Sequence, residues 1–180
     1  MVHQPKFVVR SAKMADIGPL LRLINDFAAR GIMLPRTEFE MAENIRDFMV
    51  VHDGDRLIGC GALHFYTAKS AEIRSLAVDS AYQKHGIGAM LMRDLEAEAA
   101  AYGLHALFAF TYVPGFFRKM GYREVDRGEL PLKAWKDCLR CPKFQACDEI
   151  AMLKALRADY IVKNDTNLCT ELLPFPILNH

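Results

Sequence analysis

One short run, Gln83-Lys84-His85-Gly86-Ile87-Gly88, constrains this chain more than any other stretch. It lies between two segments of opposite periodicity. Ile73 to Val78 reads as a buried strand, and from Ile87 the apolar residues recur at helical spacing through Leu91 and Leu95. Met90 lies beside that stripe and Tyr102 continues it, while Gly103 stands where a helix takes a left-handed stop, with Leu104 as its apolar partner. The glycines therefore occupy a strand-to-helix turn, where unpaired N–H groups point outward and the helix dipole favours an anion. A side chain on Gly86 or Gly88 would push a bound phosphate away from that backbone, so the run reads as a pyrophosphate cradle. The plainer alternative is a tight turn that uses glycine only for its geometry. The dinucleotide fingerprint G-x-G-x-x-G fails, because Leu91 holds its third glycine position. The G-K-[ST] of the nucleotide hydrolases is absent too.

Composition narrows the setting. A chain of 180 residues with 52% hydrophobic and 25% charged residues fits one globular domain with a core of its own. The net charge of +1, with no Lys/Arg block interleaved with aromatics, argues against a nucleic-acid partner. Met1 to Pro5 carries no apolar run of the secretory kind, and no apolar stretch is long enough to span a bilayer. The expectation is a cytoplasmic protein with no membrane partner, whose five cysteines are thiols or ligands.

In chain order, Phe7 to Arg10 reads as a strand, followed by a helix from near Asp16 that stops at Gly31. A shorter helix follows from about Thr37, its N-cap, to Ile45. Phe48–His52 and Arg56–Phe65 form a hairpin across Asp53-Gly54-Asp55. After the glycine run and its helix come a strand at Leu107–Thr111, a short helix from Pro114 to Met120 and a strand at Tyr122–Val125. Ile150–Leu156 reads as the last strand, with a helix left open, and the residues beyond about Ala158 read as a loosely structured extension.

Leu76-Ala77-Val78, then Gln83 to Gly88, then the amphipathic helix resemble the acyl-CoA loop Q/R-x-x-G-x-G/A of the GNAT family of N-acetyltransferases. The order of elements resembles that family over roughly residues 6–156. The resemblance implies an α/β (α+β) fold: a mixed central sheet splayed between strands 4 and 5, with helices on both faces. Residues 1–158 would form the acetyltransferase domain and 159–180 an extension. It implies acetyl-CoA as co-substrate. Its pantetheine arm would lie along Leu76, Ala77 and Val78, beside a bulge in the fourth strand, with its pyrophosphate on Gln83, Lys84, His85, Gly86, Ile87, Gly88 and Ala89. Acetyl transfer to an amine also needs a base, a polarised carbonyl and a protonated leaving thiolate. Glu72 is the first candidate base, a solvated strand-end carboxylate being the alternative. A backbone N–H near Leu76 or Ala77 would meet the oxyanion. Relatives carry a tyrosine acid in Y-x-x-x-G-F; here that position is Phe117, left to line the cofactor, and either Tyr112 or water supplies the proton.

Gly59-Cys60-Gly61-Ala62-Leu63-His64-Phe65, Glu72 to Val78, Phe116 to Tyr122 and Leu130-Pro131 further resemble the acetyltransferase domain of the N-acetylglutamate synthases. The segment from Leu130 to Met152 resembles their short bacterial, single-domain forms. The implied acceptor is a small-molecule amino acid, L-glutamate first, acetylated on its α-amine as the opening step of arginine biosynthesis. Arg36 and Arg74 would grip its carboxylates, with Ser75 lining the amine side and Lys133 approaching from the connection. Surface ion pairs are the alternative for both arginines. A homodimer is compatible with this reading. Two alternatives stay open: the same fold acting on another amine or a protein N-terminus, and a non-catalytic acyl-CoA or metal sensor. For the sensor, Cys138, Cys141 and Cys147 would be the responsive element; packing as small hydrophobes in a loop is the first reading of them, ahead of a metal or a redox pair, and no metal site is assigned.

Overall fold

The computed structural model describes residues 7–130, 147–158 and 160. Seven strands form one sheet in the order β1-β2-β3-β4-β5-β7-β6. They are β1 (Val9–Ser11), β2 (Phe48–Asp53), β3 (Arg56–Phe65), β4 (Ser70–Val78), β5 (Ala106–Thr111), β6 (Arg123–Glu124) and β7 (Ile150–Ala155). Every pairing is antiparallel except β4 with β5. That parallel pair is joined by the crossover helix α3 (Ile87–Ala101), while α1 (Ile17–Ala29), α2 (Glu38–Asn44) and α4 (Pro114–Lys119) complete the α-helices among the described residues. The mixed, helix-covered sheet is the expected α/β architecture.

Local chemistry explains the boundaries. Thr37 caps α2 in a reciprocal box with Glu40, as S/T-x-x-E predicts. Helix α3 ends in a left-handed Gly103 (φ +73°), whose N–H reaches Ala100 O while Leu104 N–H reaches Ala99 O. Leu104 is buried, as expected. Tyr102 is not part of the buried stripe: it is 65% exposed and stands edge-on to Phe65 at 5.0 Å. The helical option for the last segment does not hold either. Ile150–Ala155 pairs along all of β5, so its alternation buries Ala151 and Leu153 on one face and Met152 on the other. The first strand lies at Val9–Ser11, further along than Phe7–Arg10, and the strand expected at Tyr122–Val125 shortens to its two central residues.

Two packed layers result. Against one face, α3 and α4 bury Met92, Leu95, Ala99 and Phe117 on Leu63, Ile73, Leu107 and Met152. Against the other, α1 and α2 bury Leu20, Ile24, Phe27 and Met41 on Phe48, Val50, Cys60 and Ala62. Helix α3 comes unusually close to β3. A Cβ on Gly59 would sit 3.0 Å from Ile87, and one on Gly61 would sit 3.0 Å from both Leu76 and Leu95. Among the described residues no helix is long and apolar enough to cross a membrane. Lys133, Trp135, Cys138, Cys141, Phe144 and the extension beyond Tyr160 lie outside the described residues.

Candidate active site

The site is a fork in the sheet. Strands β4 and β5 pair only at Ser70↔Ala106, Ala71↔Leu107 and Glu72↔Phe108. Beyond Glu72, β4 stays with β3 and β5 stays with β7, so a cleft opens between them. Above it the chain turns through Asp79 into α3. Asp79 holds this entry: its carboxylate accepts the Ala81 N–H at 3.0 Å and pairs with Arg56 at 2.6 Å. Those two contacts, the backbone N–H first, hold its carboxyl below the usual range.

The cradle residues follow. Lys84 and Gly86 both carry positive φ, +65° and +81°. The first helical N–H to find a backbone carbonyl is Met90, at Gly86 O. Among the described residues the N–H groups of Lys84 to Ala89 have no backbone acceptor, which is the state an anion site needs. The exposed Gln83 folds back along the chain, its amide donating to Val78 O at 3.2 Å, and the His85 ring lies 2.8 Å from Gln83 O. A Cβ on Gly86 would meet nothing within 4 Å, so backbone conformation rather than crowding selects glycine there. Gly88 lies against the Phe116 ring, where a Cβ would come within 3.5 Å.

Midway up the fork β4 bulges. Cys60 faces Ala77 and Ala62 faces Arg74, so Ser75 and Leu76 together oppose the single Gly61. Ser75 takes a φ of +52° to do so. Its displaced carbonyl accepts from the Cys60 thiol at 3.4 Å. Complete burial pushes that thiol up to about 12, so it stays protonated and donating.

On the sheet face that carries α1 and α2, the polar side chains converge just below the bulge. Glu72 is 8% exposed, not a solvated strand end, and accepts a hydrogen bond from Tyr66 Oη at 3.0 Å. Its cross-strand partner His64 holds Asp47 at 2.6 Å. Arg74, with 10% of its side chain exposed, reaches the same Asp47 at 3.7 Å and Asn44 at 3.3 Å. The predicted Glu72 and Arg74 thus share one wall. Asn44, Asp47, His64 and Tyr66 join them there, unforeseen, because only strand register brings residues so far apart in sequence together. Arg36 stands between α1 and α2, its backbone clamped by the Asn25 amide in both directions at 2.9 and 3.0 Å. Tyr112 directly follows β5 and is half-buried. Phe117 is core: 3% exposed and edge-to-face with Phe116 and Tyr122 at 5.5 and 5.3 Å. Cys147 is a free thiol 3.0 Å from the Arg127 guanidinium.

Residues 22–122 match the family model described as the acetyltransferase (GNAT) family. An uncharacterized N-acetyltransferase of Chlorobaculum tepidum is 45% identical over 148 residues, 82% of this chain and 96% of that one. An amino-acid acetyltransferase of Mycobacterium tuberculosis is 32% identical over 122 residues, 66% of this chain and 70% of that one. Among solved structures, N-acetylglutamate synthase of Neisseria gonorrhoeae, complexed with coenzyme A and N-acetyl-glutamate, superposes with a TM-score of 0.77 at 27% identity. That match covers 86% of this chain but 36% of the longer synthase chain.

Proposed function

This chain belongs to the GNAT acetyltransferase family and is an N-acetyltransferase; on that premise we propose that it acetylates the α-amine of an amino acid, L-glutamate first, from acetyl-CoA. The observation that carries the proposal is one wall of the fork, where a buried carboxylate, Glu72, and a guanidinium, Arg74, lie directly below the β4 bulge. The residues present fit the co-substrate. Open N–H groups from Lys84 to Ala89 form an anion cradle at the head of α3, and the cleft below has an unpaired strand edge on each side. Gln83, Lys84, His85, Gly86, Ile87, Gly88 and Ala89 would hold the pyrophosphate, and Leu76 to Val78 the amide-bearing arm. Bound acetyl-CoA supplies the activated acyl group; everything else is work for the chain.

The acceptor arrives as an ammonium and must lose a proton before it attacks. Glu72 faces the acceptor side and takes that proton. A backbone N–H near Leu76, on the Ser75–Leu76 bulge, would stabilise the developing oxyanion. Arg36 and Arg74 present cations to the acceptor's two carboxylates, with Ser75 beside the amine. Since Phe117 has no proton to give, the leaving thiolate is protonated by Tyr112, by water or by the attacking amine itself. Such a reaction would stand at the first step of arginine biosynthesis in the cytoplasm, a placement supported by the kinship with amino-acid acetyltransferases.

Thiol release from acetyl-CoA, measured against a panel of amino acids and amines, tests the acceptor. A preference for glutamate supports the proposal, a preference for glutamine keeps the amino-acid class, and turnover only of amines lacking an α-carboxylate overturns it. Glu72→Gln should lower kcat by about two orders of magnitude near neutral pH. An unchanged kcat would remove Glu72 as the base.

A further inference from the structure

The wall around Glu72 contains a residue that the acetyl-transfer chemistry above has not used. Tyr66 follows the end of β3, and its N–H is tied to Ser70 O at 3.2 Å, closing the turn into β4. Its ring is gripped on two sides: edge-on to His64 at 5.1 Å and an 83° interplanar angle, and tilted against Phe108 at 5.5 Å. Phe108 is fully buried and is the β5 partner of Glu72, at the last rung before the fork opens. Held this way, the phenol brings its Oη to 3.0 Å from Glu72 Oε2.

We propose that Tyr66 is a positioning residue for the reaction: its hydroxyl fixes one oxygen of Glu72 and holds that carboxylate ionised, so that the other oxygen takes the acceptor's proton. The inference rests on Glu72 being the base. A neutral phenol can only donate to an ionised carboxylate, so the bond favours the charged form and opposes the effect of burial. Without it, a carboxylate 8% exposed beside a phenylalanine would retain its proton to higher pH. A base also needs a defined orientation, and a two-oxygen carboxylate on a flexible stem gains one when one oxygen is anchored.

Other charged groups face Glu72 as well. His64 lies across the strand pair, Arg74 is two residues along the same face, and Asp47 links those two from the turn before β2. From the far side, the Arg127 guanidinium stands over Phe110 at 5.7 Å. None of these groups is changed by removing the Tyr66 hydroxyl, and this makes the substitution diagnostic.

The test is the pH dependence of kcat/KM for Tyr66→Phe, which keeps both ring contacts and loses only the Oη. A base must be deprotonated to act, so losing a bond to its charged form moves the acid limb of the profile to higher pH, by about one pH unit. Activity at low pH should fall roughly tenfold and recover on the alkaline plateau, with the KM for acetyl-CoA unchanged. Glu72→Gln is measured beside it. If Glu72→Gln abolishes the acid limb and Tyr66→Phe leaves that limb in place, the role of Tyr66 is overturned while the base stands. A limb that survives Glu72→Gln overturns the base, and this inference with it. A loss in Tyr66→Phe that is equal at every pH, with a lowered melting temperature, assigns Tyr66 to structure alone and likewise overturns the proposal.

Discussion

Ser75 carries a left-handed φ of +52° in the middle of a strand, a conformation that costs a non-glycine residue about 1 kcal/mol or more. The Cys60 thiol helps to hold it, donating to the carbonyl that the bulge turns out of the ladder. Cys60→Ser keeps a donor of similar size and should retain most of kcat, whereas Cys60→Ala leaves that half-buried carbonyl without it. We expect Cys60→Ala to lower kcat several-fold at unchanged acetyl-CoA KM, because the proposed oxyanion donor would sit on the same bulge. Equal kcat values for the two variants would mean that the thiol only fills space. Arg36 provides a second test at this scale. Its backbone is fixed by Asn25, so its side chain is presented from a rigid anchor, and Arg36→Ala should raise the acceptor KM about tenfold or more while the acetyl-CoA KM stays put. Proportional changes in both constants would count against a carboxylate grip.

At the scale of elements, what could be read from sequence was local. The cradle, the Gly103 stop, the Thr37 cap and the Asp53-Gly54-Asp55 hairpin each depend on neighbours within a few residues. The stop, the cap and the hairpin stand where spacing placed them, with Gly54 and Gly103 both at positive φ, and the glycine run does lie at a strand-to-helix turn. Arg74 was legible because a charge on a central strand demands a partner, and Glu72 only through the family resemblance, which puts a base at that strand position. The partners were not: Asp47 and Tyr66 reach them only through the β2–β3–β4 register. Nor did Gly59 and Gly61 declare themselves. Glycine in a strand signals a bulge or a close approach, and only the α3 crossing shows that here it is the latter. From that crossing, Gly61→Val should destabilise the fold by about 2 kcal/mol, read as a lower midpoint in denaturant, since Leu76 and Leu95 must both give way. Gly86→Trp tests the head of α3 instead. The φ of +81° costs a side chain about 1–2 kcal/mol, but with open space beside it the fold should survive while CoA binding, followed by calorimetry, is lost. Retained affinity would put the phosphates elsewhere.

For the whole molecule, sensitivity to acid has an identifiable source. Asp16 opens α1, with 7% of its side chain exposed, and receives Arg10 through two bonds of 2.8 and 2.9 Å, with Lys13 N–H and His52 close by. The Arg10 hydrogen bonds, foremost, hold its carboxyl below the ordinary aspartate value. A carboxyl lowered in the folded state stabilises the fold above its unfolded pKa, near 4, and that contribution fades as pH falls through the lowered folded value. Asp16→Asn should therefore melt earlier than the parent at pH 7, by about 1–2 kcal/mol, and the gap should close on acidification towards pH 2. A gap independent of pH would move the effect to packing. The fork has a mechanical consequence of its own. Four strands on one side and three on the other meet, among the described residues, at a spine only three residue pairs long. The sheet is a book held by a short binding, and whatever lies between its leaves becomes a second seam. Filling the cleft should therefore do more than raise the melting temperature: it should make two halves that breathe separately open together, with hydrogen exchange slowing in β4 and β5 alike.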